Sequence, residues 1–179
     1  MKLQIDTPHA SVSIAARHMM LSTVRANFSG TTGEIEFDAN KPEGAKVRLR
    51  IPAASVDTGD PKRDGHLKSA DFLDVERYPE ITFVGTKVRK GESDNWIVSG
   101  DLTIRGTTRP VQVQVEVTGV VDGKNGKIAG FAATSTIDRT LWGLVWNMPI
   151  PGGVLVSEKV RVEVDLEAIE IAEKQEAAA

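Results

Sequence analysis

Between positions 111 and 118 the chain reads VQVQVEVT, with Val111, Val113, Val115 and Val117 alternating with Gln112, Gln114, Glu116 and Thr118. A period of two places all four valines on one face of a strand and the polar residues on the other, a separation that no helix achieves. The same period returns at 160–167, where Val160, Val162, Val164 and Leu166 alternate with charged residues, and at 46–51, where Val47, Leu49 and Ile51 alternate with Lys46, Arg48 and Arg50. Strands with one dry and one wet face belong to antiparallel sheets that cover a core on one side only. Less regular β segments are expected at 10–18, at 22–37 with a bend near Gly30, and at 80–88, 95–104 and 127–138, which makes eight strands in all. The β-branched Val, Ile and Thr make up 46 of 179 residues, which suits a pleated, half-buried surface.

Short turn sequences separate most of these segments, among them Gly91–Asn95, Arg105–Thr108 and Asp122–Gly126, so sequence neighbours should pair as hairpins. An open sheet of this size would leave two long edges exposed to aggregation, and closure removes them. The expected fold is therefore all-β: an eight-stranded antiparallel up-and-down barrel in a single domain over 1–168, with a frayed or weakly helical Glu- and Ala-rich tail over 169–179. One short helical segment near residues 61–73 breaks the β rhythm. Asp60 can cap it, Pro61 suits its first position, and Leu67, Ala70 and Leu73 recur at a spacing of three.

A formal net charge of −3 lacks the basic excess that a nucleic-acid binder needs. The absence of Cys removes disulfides, thiolate zinc sites, iron–sulfur clusters and cysteine nucleophiles. No apolar run approaches the roughly 20 residues that span a bilayer as a helix. Asp6, Pro8, His9, Arg17 and His18 interrupt the N-terminal apolar residues, so no export signal is read there; a cytoplasmic location is expected, or a periplasmic one if a leader precedes the chain. His9 and His18 would face opposite sides of one continuous strand, which argues against a shared metal, and His66 is expected to be held by Asp64 or Asp71. Asp71 and Asp74 could form a carboxylate pair but fit a solvated helix edge better. The chain has no nucleophile elbow, dinucleotide fingerprint or phosphate loop, and the glycosylation triplet at Asn27 carries no weight alone. No enzyme activity, metal or cofactor is expected.

The stretch 141–156, LWGLVWNMPIPGGVLV, is an apolar loop between two strands. Such a loop either plugs the barrel end or forms a lip around a ligand, with Trp142, Trp146 and Met148 as its contact residues. Only nine aromatic residues are available to fill an eight-stranded interior, so many inward positions fall to Val and Ala and a partly hollow bore is expected.

Four blocks, in matching order and spacing over about 5–168, resemble the YceI-like family of polyisoprenoid-binding, lipocalin-like proteins. They are His9–Ile14 followed by His18, RDGHLKSADFLDVERYPEITF (63–83), WIVSGDLTIRGTTRPVQV (96–113), and GFAATSTIDRTLWGL with GGVLVSEKVRVEVDLE. Ala10 stands where the family pattern has Ser. The resemblance implies a lipocalin-like barrel whose apolar tunnel holds a long isoprenoid lipid, such as a polyprenyl or quinone tail, without catalytic residues. On inward parity the expected ligand contacts are Val12, Ile14 and His18, then Phe28, Phe37, Leu49, Phe83, Leu102, Val113 and Phe131. His18 and Arg139 are candidates to meet a polar head group or close the mouth. Two alternatives stand beside the carrier. One is an interaction or stress-response module with a filled barrel and a docking loop at 141–156, possible as a homodimer; the other is a lipid-modifying enzyme using His66 with Asp64 or Asp71.

Overall fold

The computed structural model describes residues 1–38, 40–93 and 95–171. The chain rises in β1 (Lys2–His18), returns through β2 (Ser22–Phe28) and β3 (Thr32–Glu36), and rises again in β4 (Lys46–Pro52). Helix α1 (Pro61–Lys68) lies in the connection to β5 (Glu80–Lys90), which is followed by β6 (Trp96–Ile104), β7 (Thr107–Gly123) and β8 (Gly126–Asp138). Two short strands, β9 (Pro149–Ile150) and β10 (Gly153–Val154), pair with each other before the last long strand, β11 (Val156–Glu170).

All pairings are antiparallel, in the order β11-β8-β7-β6-β5-β4-β3-β1-β2, and a further β1–β11 ladder closes the ring. β2 pairs with the far half of β1 and β3 with its first residues, so the two form one wall bent at Ser29–Thr31, near the expected break at Gly30. Counted this way the ring has eight walls in up-and-down order, as the periodicity predicts. The upper end carries the β1–β2 turn, the α1 connection, the β6–β7 turn and the long β8–β11 loop; the lower end carries the remaining turns and the start of the chain.

β1 is eight residues longer at its start than the sequence pattern suggests. Its register against β11 jumps from Ile5 opposite Ala168 to Ala10 opposite Leu166, so residues 6–9 bulge out of the ladder. The bulge holds Pro8, which has no N–H to give, and an His9–Asp6 contact of 2.7 Å. Its three extra residues also restore parity: Leu3 and Ile5 face inward below it and Val12 faces inward above it. Read without the bulge, the alternation fails at Pro8, which is why periodicity starts this strand late. β7 and β11 likewise run beyond their alternating cores, and Ile169 and Glu170 continue β11. The rest of the expected tail, 172–179, lies outside the described residues.

The helical segment is shorter than 61–73. Asp60 caps α1 through Oδ1, accepting from the N–H groups of Lys62 at 3.0 Å and Arg63 at 3.4 Å. Ser69 ends it, its hydroxyl donating to the His66 carbonyl at 2.7 Å, and the chain continues in turns. Leu67 and Leu73 therefore reach the core while Ala70 stays exposed.

Inward side chains gather in two dry layers. Leu3, Ala129 and Ala168, each fully buried, anchor the lower one; Ala53, Val56 and Trp142, at most 2% exposed, anchor the upper one. Between them the Phe83 ring packs against the backbone of Gly100, where a Cβ would come within 2.5 Å of the ring and 2.6 Å of the Val84 carbonyl. Gly100→Val is expected to cost about 1–3 kcal/mol through overpacking. The check is urea unfolding, with a lower midpoint at unchanged slope; an unaltered midpoint would contradict the close approach.

Candidate functional site

Parity along β7 shows what fills the middle of the barrel. Gln112, Gln114 and Glu116 are exposed on the outside, yet their inward neighbours Val111, Val113, Val115 and Val117 are only half-buried. Inward residues of a closed barrel stay accessible when they face a void, and the same holds for Val47 and Leu49 on β4 and for Val162 and Val164 on β11. These side chains border a cavity whose empty space, with the open solvent at its mouth included, comes to about 1100 Å³. Pro42 and Ala45 of the β3–β4 connection form part of its lower rim.

The lining of this void is apolar, with Thr134 and Ser135 the hydroxyl-bearing exceptions. The Ser135 hydroxyl is already engaged, donating to the Gln112 carbonyl at 2.8 Å. Phe37 and Phe131 meet edge to face at 5.7 Å on one side, and Phe83 covers Gly100 on another. Among the described residues no titratable side chain lines this space, so the void offers contact area and shape but no charge.

A second cavity opens at the upper end between β1, β2, α1 and the β8–β11 loop. Ile14, Ala16 and Trp146 give it an apolar wall, while Arg17, His18 and Arg63 supply polar groups. The two linings share no residue; the upper dry layer, with Phe28, Trp142 and Leu144, lies between them. His66 borders the upper cavity with its Nε2 2.9 Å from Asp71 Oδ2 and its ring edge-on to Phe72 and Trp146 at 5.0 and 4.5 Å. Of its two expected partners, Asp71 is the one it meets. Asp64 instead accepts from the Thr58 hydroxyl at 2.6 Å and the Thr58 N–H at 2.8 Å, and the hydroxyl bond holds its carboxyl below the ordinary aspartate value.

Of the residues expected from sequence to meet a ligand, Val12, Phe37, Leu49, Phe83, Leu102, Val113 and Phe131 line the barrel void, and Ile14, His18 and Trp146 line the upper cavity. Four lie elsewhere. Phe28 points inward but is packed in the upper layer. Trp142, 2% exposed, plugs the same layer and donates from Nε1 to the Leu102 carbonyl at 3.0 Å. Met148 faces solvent. Arg139 is buried and faces neither cavity: it donates to the carbonyls of Ser157 at 3.0 Å, Trp146 at 3.0 Å, Val156 at 3.3 Å and Leu144. Its guanidinium is spent on holding the 139–157 loop down, and burial lowers its pKa from the ordinary value.

Sequence reading did not pick out other lining residues such as Ile35, Trp96, Val98 and Ala133, because assigning them needs the strand register and the bulges. It also did not bring together Asp6, His9 and Glu167, whose polar atoms lie within 4.8 Å of one another at the β1 bulge. The Asp6 carboxylate raises the His9 pKa, chiefly through their hydrogen bond.

Residues 3–168 match the family described as the YceI-like domain. The protein named YceI from Escherichia coli O157:H7 is 38% identical over 137 residues, covering 76% of this chain and 71% of that one. Among solved structures, BcnA of Burkholderia cenocepacia superposes with a TM-score of 0.79 at 23% identity, covering 91% of this chain and 98% of that one. A polyisoprenoid-binding domain from Saccharophagus degradans, implicated in plant cell wall breakdown, superposes at 0.67 and 14% identity, covering 94% and 98%.

Two predictions test this geometry. Arg139→Met leaves buried carbonyls without a donor and should cost at least about 2 kcal/mol, with hydrogen exchange accelerated first in 139–157; uniform acceleration over the whole barrel would count against the local role. Asp138 is held below the ordinary aspartate value, first by the Thr140 hydroxyl, which donates to it at 2.6 Å. A depressed carboxyl stabilises the fold above its unfolded pKa, and that contribution is lost as pH falls through the folded value. Thr140→Val should therefore reduce stability at neutral pH and flatten its fall on acidification, as read by thermal melts across the acid range.

Proposed function

The chain belongs to the YceI-like family, and from that premise we propose that it is a carrier that holds the hydrocarbon chain of an isoprenoid lipid, such as a polyprenyl or quinone tail, inside the barrel void. The observation that carries this reading is the void itself, an apolar space inside a closed ring of strands, lined mainly by Val, Leu, Ile and Phe. An unfilled apolar cavity forfeits dispersion contacts on every wall, and water gains nothing by entering it. An apolar guest recovers those contacts. Each five-carbon unit moved out of water yields about 4 kcal/mol gross, at about 0.8 kcal/mol per carbon, against which chain ordering and lost freedom are set.

Branched isoprene units fit this lining better than a rigid ring system would, because the walls consist of many small aliphatic side chains with few flat aromatic faces. Without a charged group in the lining, and with few polar atoms there, selectivity rests mainly on length and girth. That a polyisoprenoid-binding domain shares the fold supports the choice of lipid class. The role needs no catalytic group. The His66–Asp71 pair lies at the upper cavity, beyond the dry layer that closes the void.

Native mass spectrometry of protein purified from its host, followed by solvent extraction, is the direct test: the expected result is an added mass that extracts as an isoprenoid lipid. Val113→Trp places a large ring in the void and should abolish the added mass while leaving the β-sheet circular dichroism intact. Lipid retained at parental stoichiometry by a folded Val113→Trp variant would place the guest elsewhere and refute the proposal.

A further inference from the structure

Six of the ten large apolar side chains exposed among the described residues are Met19, Met20, Leu21, Val145, Met148 and Val154. All belong to two loops that touch at the upper end of the barrel. The Met19 N–H donates to the Leu155 carbonyl at 2.8 Å, and the Leu155 N–H donates to the Met148 carbonyl at 2.9 Å, so the β1–β2 turn and the β9–β10 hairpin form one protruding edge. Leu21 is 78% exposed, Val145 66% and Met20 61%. Three of the four methionines of the chain are here.

The β1–β2 turn does not owe these residues to its own folding. Leu21 N–H closes it on the His18 carbonyl at 3.0 Å, and its two central residues, Met19 and Met20, adopt φ of 51° and 59°. Two successive left-handed residues in a hairpin turn call for Asn-Gly or a similar pair. Met-Met is unfavourable there on backbone grounds, and it exposes apolar surface as well. The electrostatics of the edge point to what covers it. The longer stretches that contain it, residues 7–33 and 139–157, have no Asp or Glu. Arg17 sits at the base of the turn, exposed, with Nη2 donating to the Met20 carbonyl at 2.9 Å and Nη1 to the Thr23 hydroxyl at 3.1 Å, neither of them a carboxylate. Of the nearby carboxylates on the α1 side, Asp60 is engaged in the helix cap and Asp64 with Thr58. Flexible apolar tips above a cation, with no acidic residue among them, are complementary to an anionic lipid surface, whose headgroup phosphates meet the cation and whose acyl chains accept the tips.

We propose that this edge is a membrane-docking surface: the Met19–Leu21 turn and the β9–β10 hairpin seat the upper end of the barrel on an anionic bilayer, with Arg17 at headgroup level. The inference concerns the outer surface, so it stands or falls independently of what occupies the barrel void.

The test uses the full chain, stripped of lipid by solvent, in flotation assays with phosphatidylcholine vesicles and with mixed phosphatidylcholine–phosphatidylglycerol vesicles. The expected result is binding to the mixed vesicles that weakens with added salt. Met20→Asp with Leu21→Asp should weaken it at least about tenfold, since partitioning follows buried apolar area. Arg17→Gln should reduce the preference for the anionic vesicles. Met19→Asn with Met20→Gly guards against loss of fold: it supplies the residues the turn geometry favours, so it should melt no lower than the parent while still losing vesicle binding. Equal flotation of the parent and both turn variants would overturn the proposal. So would a parent that self-associates and ignores vesicles while the turn variants are monomeric, because the surface would then belong to a second copy of the chain.

Discussion

The ladder between the first and last long strands is what the rest of the molecule depends on. β1 and β11 pair from Leu3 opposite Glu170 to His18 opposite Val156, and this contact converts an eight-walled meander into a tube. Without it the sheet would present two unpaired edges and the inward valines would meet water. The ladder holds its length only because residues 6–9 bulge out, which keeps inward residues inward on both sides of Pro8. Closure also fixes the girth, since strand number and tilt together set the diameter of a barrel.

Within that girth the interior is divided by side-chain size. At the lower end Leu3, Ile5 and Ala168 interlock with Phe37 and Phe131; at the upper end Phe28, Phe72 and Trp142 do the same. The middle is lined mostly by Val, Leu, Ile and Ala, too small to reach across, with Phe83 and Trp96 among them. The strands cannot collapse onto the vacancy because their hydrogen-bonded neighbours hold them apart around the ring. Hollowness here is thus a property of a rigid closed frame combined with short inward side chains, and the proposed guest completes the packing that the chain leaves undone.

The loop from 139 to 157 shows how one segment can serve opposite ends. Arg139 ties its carbonyls inward, Trp142 and Leu144 seal the barrel, Trp146 covers the upper cavity, and Val145, Met148 and Val154 face out. From sequence this stretch reads as a single apolar loop, a plug or a lip. The structure divides it residue by residue. The difference arises because direction along an irregular loop follows no period, so nothing in the order of residues says which side chain faces the core.

Alternation at 46–51, 111–118 and 160–167, with short turns between segments, was sufficient by itself to determine one-sided strands, their antiparallel order and the need for closure, because a two-residue period is a local property of the chain. The cap at Asp60 and the helix after Pro61 were equally local. Only the tertiary structure decided where β1 begins, that His66 meets Asp71 and Asp64 meets Thr58, that Arg139 is an internal clamp, and that the upper dry layer lies between two cavities. Each of these depends on which residues distant in sequence come to lie side by side. That is fixed by register, bulges and the closing of the ring, all of which are long-range.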